Sequence, residues 1–290
     1  MRPPWPMYWF LVPIAAATSV PSIHAQDAQR RPAVEFVNCV NWQTRFRGVD
    51  VAPLEATQPR RMRGYAARIQ ATDPGIAFLA TPDNGDRPGE TDGLRTTSFL
   101  KQFECQLAIN AGSFAPVCSE EGLPEDIHGL QISRGQTVSS PDPPYPALLI
   151  TRDKRLSIEA RPFHTEGIEN AVPGFQIVLR RGEVLKTDDT LHPRTGAGIS
   201  DDGKQLILLV IDGRQPDYSL GASTAEVGQW LQALGAADGI NLDGGGTTTM
   251  VLRGENGEPQ ILNRPIHASI PGRERVAASH LGVKAQPLPR

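Results

Sequence analysis

Apolar residues run without interruption from Leu206 to Ile211, which predicts a strand buried on both faces over Gln205–Ile211. Elsewhere the pattern alternates. Val34–Val40 and Tyr65–Ala71 carry apolar side chains at alternate positions and Ile76–Ala80 is a short apolar run, so each predicts a strand. Gln106–Asn110, Gly129–Ser133, Ala147–Thr151, Leu156–Glu159 and Phe175–Leu179 read the same way. Two segments change period. Thr97–Phe103 fits a short helix. Ser223-Thr224-Ala225-Glu226 is a capping box opening a longer one, which carries Val227, Trp230, Leu231 and Leu234 on its core face and closes at Gly235. Gly239–Leu242 then returns as a strand, and Met250–Leu252 continues after it. Thr81–Gly93 and Ala115–Asp126 are polar loops. With no internal repeat and no low-complexity linker, the expected fold is α+β: a single domain with a mixed central β-sheet and flanking helices. Asp212 and Asp243 each follow a buried strand and are expected at the same sheet edge.

The first 25 residues stand outside that pattern. Arg2 precedes Met7–Val12 and Ile14–Ala17, an apolar stretch too short to span a bilayer as a mature helix. Pro21 breaks it, and Ile23-His24-Ala25 offers a small residue for cleavage. The segment reads as a signal peptide removed near Ala25, with Ala15–Ala17 as a second candidate cut and an uncleaved anchor as the alternative. No later segment is apolar for long enough to span, so no stable membrane insertion is expected, and the mature chain is placed in the periplasm or outside the cell. Removing the leader takes away Arg2 alone, leaving 28 basic against 32 acidic residues, a net of −4. That balance excludes a general nucleic-acid binder. Cys39, Cys105 and Cys118 all lie in the exported part, where disulfides form. Cys105–Cys118 is the expected bridge, stapling a strand to the loop after it, with Cys39 paired to either as the alternative.

Chemistry concentrates between Ile240 and Val251, which read Ile-Asn-Leu-Asp-Gly-Gly-Gly-Thr-Thr-Thr-Met-Val. A strand end there delivers a carboxylate, Asp243, into three glycines and three hydroxyls. Glycines permit positive φ and let backbone N–H groups approach a ligand. A tight Asp-Gly hairpin is the bland alternative. Three consecutive glycines exceed what a hairpin requires, and each extra one costs roughly 0.5–1 kcal/mol of chain entropy.

Further motifs accompany it in order: Arg194-Thr195-Gly196-Ala197-Gly198-Ile199, Asp212-Gly213-Arg214, Glu226, Asn241 through Thr248, and Arg275, preceded by Thr97–Leu100 and Ala108–Phe114. This series resembles the phosphodiester glycosidase family over about residues 65–284. Ala111, Gly198 and Thr247 are modest departures, and Thr247 keeps the hydroxyl of the more common serine. The resemblance divides the chain into a leader (1–25), an N-terminal strand and loop region (26–64) and a glycosidase-like domain (65–284). It implies hydrolysis of a sugar-1-phosphodiester to free sugar and a phosphomonoester, with no cofactor and a small or polymeric sugar phosphodiester as partner. Such a leaving group, with a second pKa near ~6, departs with little protonation once its charge is neutralised. Arg194, Arg214 and Arg275 are the candidates for that task, since guanidinium grips phosphate bidentately. Asp243 is the preferred catalytic carboxylate and Asp212 the second. Gly244, Gly245, Gly246, Thr247 and Thr248 are expected to cradle phosphate or sugar oxygens, and Asn110 and Asn241 to bond sugar hydroxyls.

Each assignment has a plainer counterpart. Glu226 is either a site residue or only the helix-cap partner of Ser223. Asp212-Gly213 and Asn110-Ala111-Gly112 are either site elements or turns, and Arg275, flanked by Arg273 and Glu274, is either a ligand or a solvated charge. His192, beside Pro193, reads as structural. His128, His164, His192, His267 and His280 are scattered without metal-ligand spacing, so no metal site is expected. A carbohydrate- or polyanion-binding envelope protein without turnover is the competing function.

Overall fold

Gln205–Ile211 is the interior strand that its apolarity dictates, bonded to Met62–Gln70 on one side and Arg194–Ser200 on the other. Leu206, Leu208 and Val210 face one core, while Ile207, Leu209 and Ile211 face a second. This computed structural model describes residues 35–36, 40–185 and 188–289. The expected leader, its cleavage site, most of the strand expected at Val34–Val40, and Cys39 lie outside the described residues. All described residues belong to one compact unit, Val34–Arg290.

Arg194–Ser200 lies between Gln205–Ile211 and Ala236–Asn241 and is antiparallel to both. Its two neighbours therefore run in the same direction and finish at one end of the sheet, Ile211 opposite Arg194 and Asn241 opposite Gly196. The Thr224–Ala233 helix connects them. It packs tightly, because Gly196 and Gly198 leave room: a Cβ at Gly196 would lie 2.8 Å from Val227, and one at Gly198 3.2 Å from Leu231. Trp230 is fully buried beneath it, edge-on to Phe36 at 5.0 Å between ring centres.

A second sheet carries Leu107–Asn110 between Met250–Arg253 and His280–Lys284. A third is centred on Ile168–Pro173, between Gln131–Ser133 and Ala147–Thr151. Leu107, Ile109 and Val283 from the second and Leu148, Ile150 and Val172 from the third share the core with Val51, Ile69 and Leu208 of the first. This overturns the expected α+β class with a mixed sheet and flanking helices. The fold is largely β, with 45% strand and 8% helix. Every strand pairing described is antiparallel. Among the described residues the α-helices are Thr96–Gln102 and Thr224–Ala233. One face of the large sheet is covered by other sheets, so helices are needed only on the other. No helix of the described residues is long and apolar enough to cross a membrane.

The expected Cys105–Cys118 bridge is also corrected: among the described residues both thiols are free. Cys105 points into the core formed by Phe99, Leu100 and Val251, so close to Gly282 that a Cβ there would lie 2.5 Å from its sulfur. Cys118 sits on a loop beside Glu125, its backbone N–H donating to that carboxylate at 3.2 Å. The two sulfurs thus have separate surroundings.

His280 is fully buried, stacked on Phe99 at 4.7 Å, and desolvation pushes its pKa down to about 3. The unfolded chain therefore takes up the proton first as pH falls from the ordinary imidazole value of 6.5 towards about 3. Across that window this residue alone removes up to about 1.4 kcal/mol of stability per pH unit. Chemical denaturation at pH 7 and pH 5 should show a smaller loss of stability for His280→Gln than for the natural chain; equal losses would contradict this assignment.

Candidate active site

The ends of Gln205–Ile211 and Ala236–Asn241 place Asp212 and Asp243 at one end of the large sheet, separated by the width of the Arg194 strand. Their surroundings differ. Asp212 is 1% exposed, and its carboxylate accepts from the Asn263 amide at 2.8 Å and from the Arg264 backbone N–H at 3.0 Å. Tyr218 also favours its ionised form. Burial raises the pKa of Asp212, and these donors work against the rise. It latches the Asn263–Arg264 turn onto the sheet.

Asp243 is 8% exposed and lies on the turn that begins the triple glycine. Its Oδ2 accepts from the Thr247 hydroxyl at 2.7 Å and from Arg275 at 3.1 Å, and the Gly244 N–H adds another bond. Burial is the largest influence and raises its pKa; Arg275, Thr247 and Gly244 lower it. Asn110 supports this turn from below. Its amide nitrogen donates to the Asp243 carbonyl at 2.7 Å and to the Thr247 hydroxyl at 3.1 Å. Its amide oxygen accepts from Thr195 at 2.8 Å and from the Thr249 N–H at 3.2 Å. Both donors and both lone pairs are therefore used within the protein, leaving no bond for a sugar hydroxyl.

The three glycines make room for side chains. A Cβ at Gly244 would lie 2.6 Å from the Pro193 carbonyl. Gly245 has φ +66° and donates its N–H to that same carbonyl at 2.9 Å. A Cβ on Gly245 would meet the Arg214 guanidinium at 3.2–3.5 Å, and one on Gly246 would meet His267 at 3.1 Å and Arg275 at 3.2 Å. Two arginines thus pack onto one bare turn from different sides. Arg214 itself has φ +58°, and its guanidinium donates to His192 Nδ1 at 3.2 Å. Arg275 also covers the Phe114 ring at 5.6 Å.

These groups open onto a cleft of about 490 Å³ lined by Arg214, Tyr218, Gly246, Arg264, His267 and Arg275 among others. Arg264 stands over the Tyr218 ring at 5.2 Å, with Arg63 over the same ring at 5.0 Å. Burial and the neighbouring Asp212 push the Tyr218 hydroxyl up to about 12. Tyr218, Arg264 and His267 were not anticipated from sequence. The cleft brings together Arg214, Arg275 and Gly246 of the expected set, with Asp243 bonded to Arg275 behind them.

Others lie elsewhere. Arg194 donates to the Ala222 carbonyl at 3.0 Å and the Thr190 carbonyl at 2.7 Å, pinning two loops. Glu226 completes the capping box with Ser223 and forms a two-pronged ion pair with Arg60, which also bonds the Gly221 carbonyl. Asn241 donates to the Leu242 carbonyl at 3.0 Å, while its amide oxygen and the Thr248 hydroxyl are buried without a partner. Among the described residues no group of three or more His, Cys, Asp or Glu side chains could hold a metal ion.

A family model described as phosphodiester glycosidase matches residues 103–284, more than half of the chain. Among solved structures, the zebrafish N-acetylglucosamine-1-phosphodiester alpha-N-acetylglucosaminidase catalytic domain, auto-inhibited by its pro-peptide, superposes with a TM-score of 0.61. The two are 22% identical over 89% of this chain and 85% of that one. A hypothetical protein from Synechocystis gives a TM-score of 0.61 at 13% identity, over 86% of this chain and 64% of that one. A protein from Burkholderia pseudomallei described as exported gives 0.56 at 14%, over 77% and 74%. At these identities the likeness is one of fold. No curated protein sequence matches the chain.

Gly245→Ala forces an alanine to φ +66° and pushes its Cβ against Arg214. Gly257, at φ +82° with open space around it, supplies a control for backbone strain alone. Left-handed backbone costs a non-glycine residue roughly 1–2 kcal/mol, about 2–8 °C in melting temperature for a chain of this size. Calorimetry should place Gly245→Ala below Gly257→Ala. Equal melting temperatures would mean that Arg214 does not rest on the turn.

Proposed function

Because this chain belongs to the phosphodiester glycosidase family, we propose that it is an exported hydrolase that cleaves the glycosidic bond of a sugar-1-phosphodiester, releasing free sugar and a phosphomonoester. The convergence of Arg214 and Arg275 on one glycine turn carries this reading, because it sets two guanidiniums on the same cleft beside a buried carboxylate. The cations neutralise the departing phosphate, which then needs little help from a proton donor. Asp243 is the carboxylate at hand for the positive charge that develops on the sugar. Asp212, its oxygens occupied by the Asn263–Arg264 turn, serves to shape the cleft wall. Glu226 and Arg194 act as supports behind the site, and Asn110 positions the Asp243 turn.

The competing reading, a binder of anionic carbohydrate without turnover, draws on one observation: neither aspartate lines the cleft itself. One assay separates the two. Incubated with a sugar-1-phosphodiester and with the matching aryl glycoside, the mature protein should release sugar from the first only. Asp243→Asn should lower turnover by about 10²–10³-fold, the loss typical of removing one preorganised electrostatic group, while its melting curve shows that it is folded. Absence of turnover across a panel of such diesters, with binding retained, would establish the binder instead.

A further inference from the structure

Hydrolysis at an anomeric carbon uses a group that stabilises the cation and a group that takes a proton from water. Asp212 is unavailable for the second task because its carboxylate is engaged by Asn263 and the Arg264 N–H. Of the cleft's other polar side chains, Gln215 and Ser269 are not bases, Arg214, Arg264 and Arg275 hold their protons, and Tyr218 holds its own up to about 12. His267 and Asp217 remain. Asp217 is exposed on the outer wall, whereas His267 is half-buried and touches the glycine turn that carries Asp243. Among the described residues, neither ring nitrogen of His267 has a hydrogen-bond partner.

The backbone around His267 is built to hold it there. Ile266–His267 and Ile270–Pro271 pair as a two-residue hairpin whose central residues, Ala268 and Ser269, have φ +51° and +61°. Both residues lie in the left-handed region without being glycine. That conformation matches the twist of a hairpin but costs roughly 1–3 kcal/mol per residue, a strain usually kept at ligand-facing sites. The Gly272 N–H bonds the Pro265 carbonyl at 2.7 Å and closes the base of the hairpin. Gly246, lacking a Cβ, lets the imidazole and Arg275 settle on the same turn.

We propose that His267 is the proton acceptor of this site, the catalytic residue that activates water for attack on the anomeric carbon. The inference rests on the sugar-phosphodiester reading above. Water's oxygen bonds to the anomeric carbon while one of its protons passes to an imidazole nitrogen. The bond from that carbon to the phosphoryl oxygen breaks, and its electron pair leaves with the phosphomonoester between Arg214 and Arg275. The imidazolium then returns its proton to solvent. His267 meets Arg275 and Arg273 on one side and shares the cleft with Arg214, Arg264, Asp217 and Tyr218. Burial first, then Arg275 and Arg273, lower its pKa, so it is neutral at pH 7 and gains a proton only as the medium becomes acidic. Activity that depends on the neutral ring is therefore lost as pH falls through that lowered value.

The test is the pH–rate profile of the mature protein and its His267→Gln variant on one sugar-1-phosphodiester. His267→Gln should lose about 10²–10⁴-fold in kcat with KM little changed, the usual contribution of a general base, and its profile should lack the acid limb of the natural enzyme. Free imidazole should restore part of the activity of His267→Ala, and Asp243→Asn should keep the limb in whatever activity it retains. Full kcat in a folded His267→Gln, an acid limb that persists, or a rise in KM alone would overturn the assignment while leaving the reaction intact. A natural protein that turns over no such diester removes both.

Discussion

The side-chain amide of Asn110 holds two sheets in register at the site. It ends a strand of the second sheet, yet its four hydrogen bonds reach Asp243, Thr247, Thr195 and Thr249. Thr195 belongs to the large sheet, and Asp243 opens the turn that leaves it. A buried polar group left unpaired costs about 1–3 kcal/mol, so this amide and its partners are satisfied together or lost together. The position of Asp243, and of the Arg275 fork bonded to it, follows from that coupling. The Asp243–Arg275 side of the cleft is referenced to one fully used amide.

The glycines translate this rigid base into a cationic cleft. On a chain whose acidic residues outnumber its basic ones, 32 to 29, Arg214, Arg264 and Arg275 gather on one cleft. Glycine is what permits the gathering, since a side chain at Gly245 would occupy the space of the Arg214 guanidinium and one at Gly246 that of His267 and the Arg275 stem. The turn thus presents charge through side chains and not through its own backbone: the Gly245 N–H is spent on the Pro193 carbonyl, and the arginines line the cleft.

Sequence periodicity found the strongest elements because their signals are local. Gln205–Ile211 and the Thr224–Ala233 helix announce themselves by unbroken apolarity and by a capping box. Arg194–Ser200 does not read as a strand, because two glycines and an alanine give it little β-propensity; its glycines exist for the helix that lies on it. Val49–Gln58 was hidden by Pro53. The fold class was misread for a related reason, since coverage of one sheet by another leaves no periodic mark comparable to a helix. Around the site, Asp243, Arg214 and Arg275 were legible through their motif. Asn110, Arg194 and Glu226 stand out in the sequence without their hydrogen-bond partners, because those depend on tertiary approach. His267, Tyr218 and Arg264 carry no motif at all and become visible only where the hairpin and the Asp212 latch bring them to the cleft.

Long-range closure of the site also bears on how the chain reaches its native state. The Asn110 bonds span 133 positions to Asp243 and 85 to Thr195, and the large sheet pairs Met62–Gln70 with Gln205–Ile211, far apart in the sequence. Contacts of such separation pay their loop-closure entropy before they contribute, which makes antiparallel assemblies of this kind slow folders. During synthesis Leu107–Asn110 emerges long before either strand it bonds to, Met250–Arg253 and His280–Lys284, so its edges wait unpaired. The amide that orders the finished site is therefore satisfied late, and a nascent chain exposes sticky strand edges until His280–Lys284 is made.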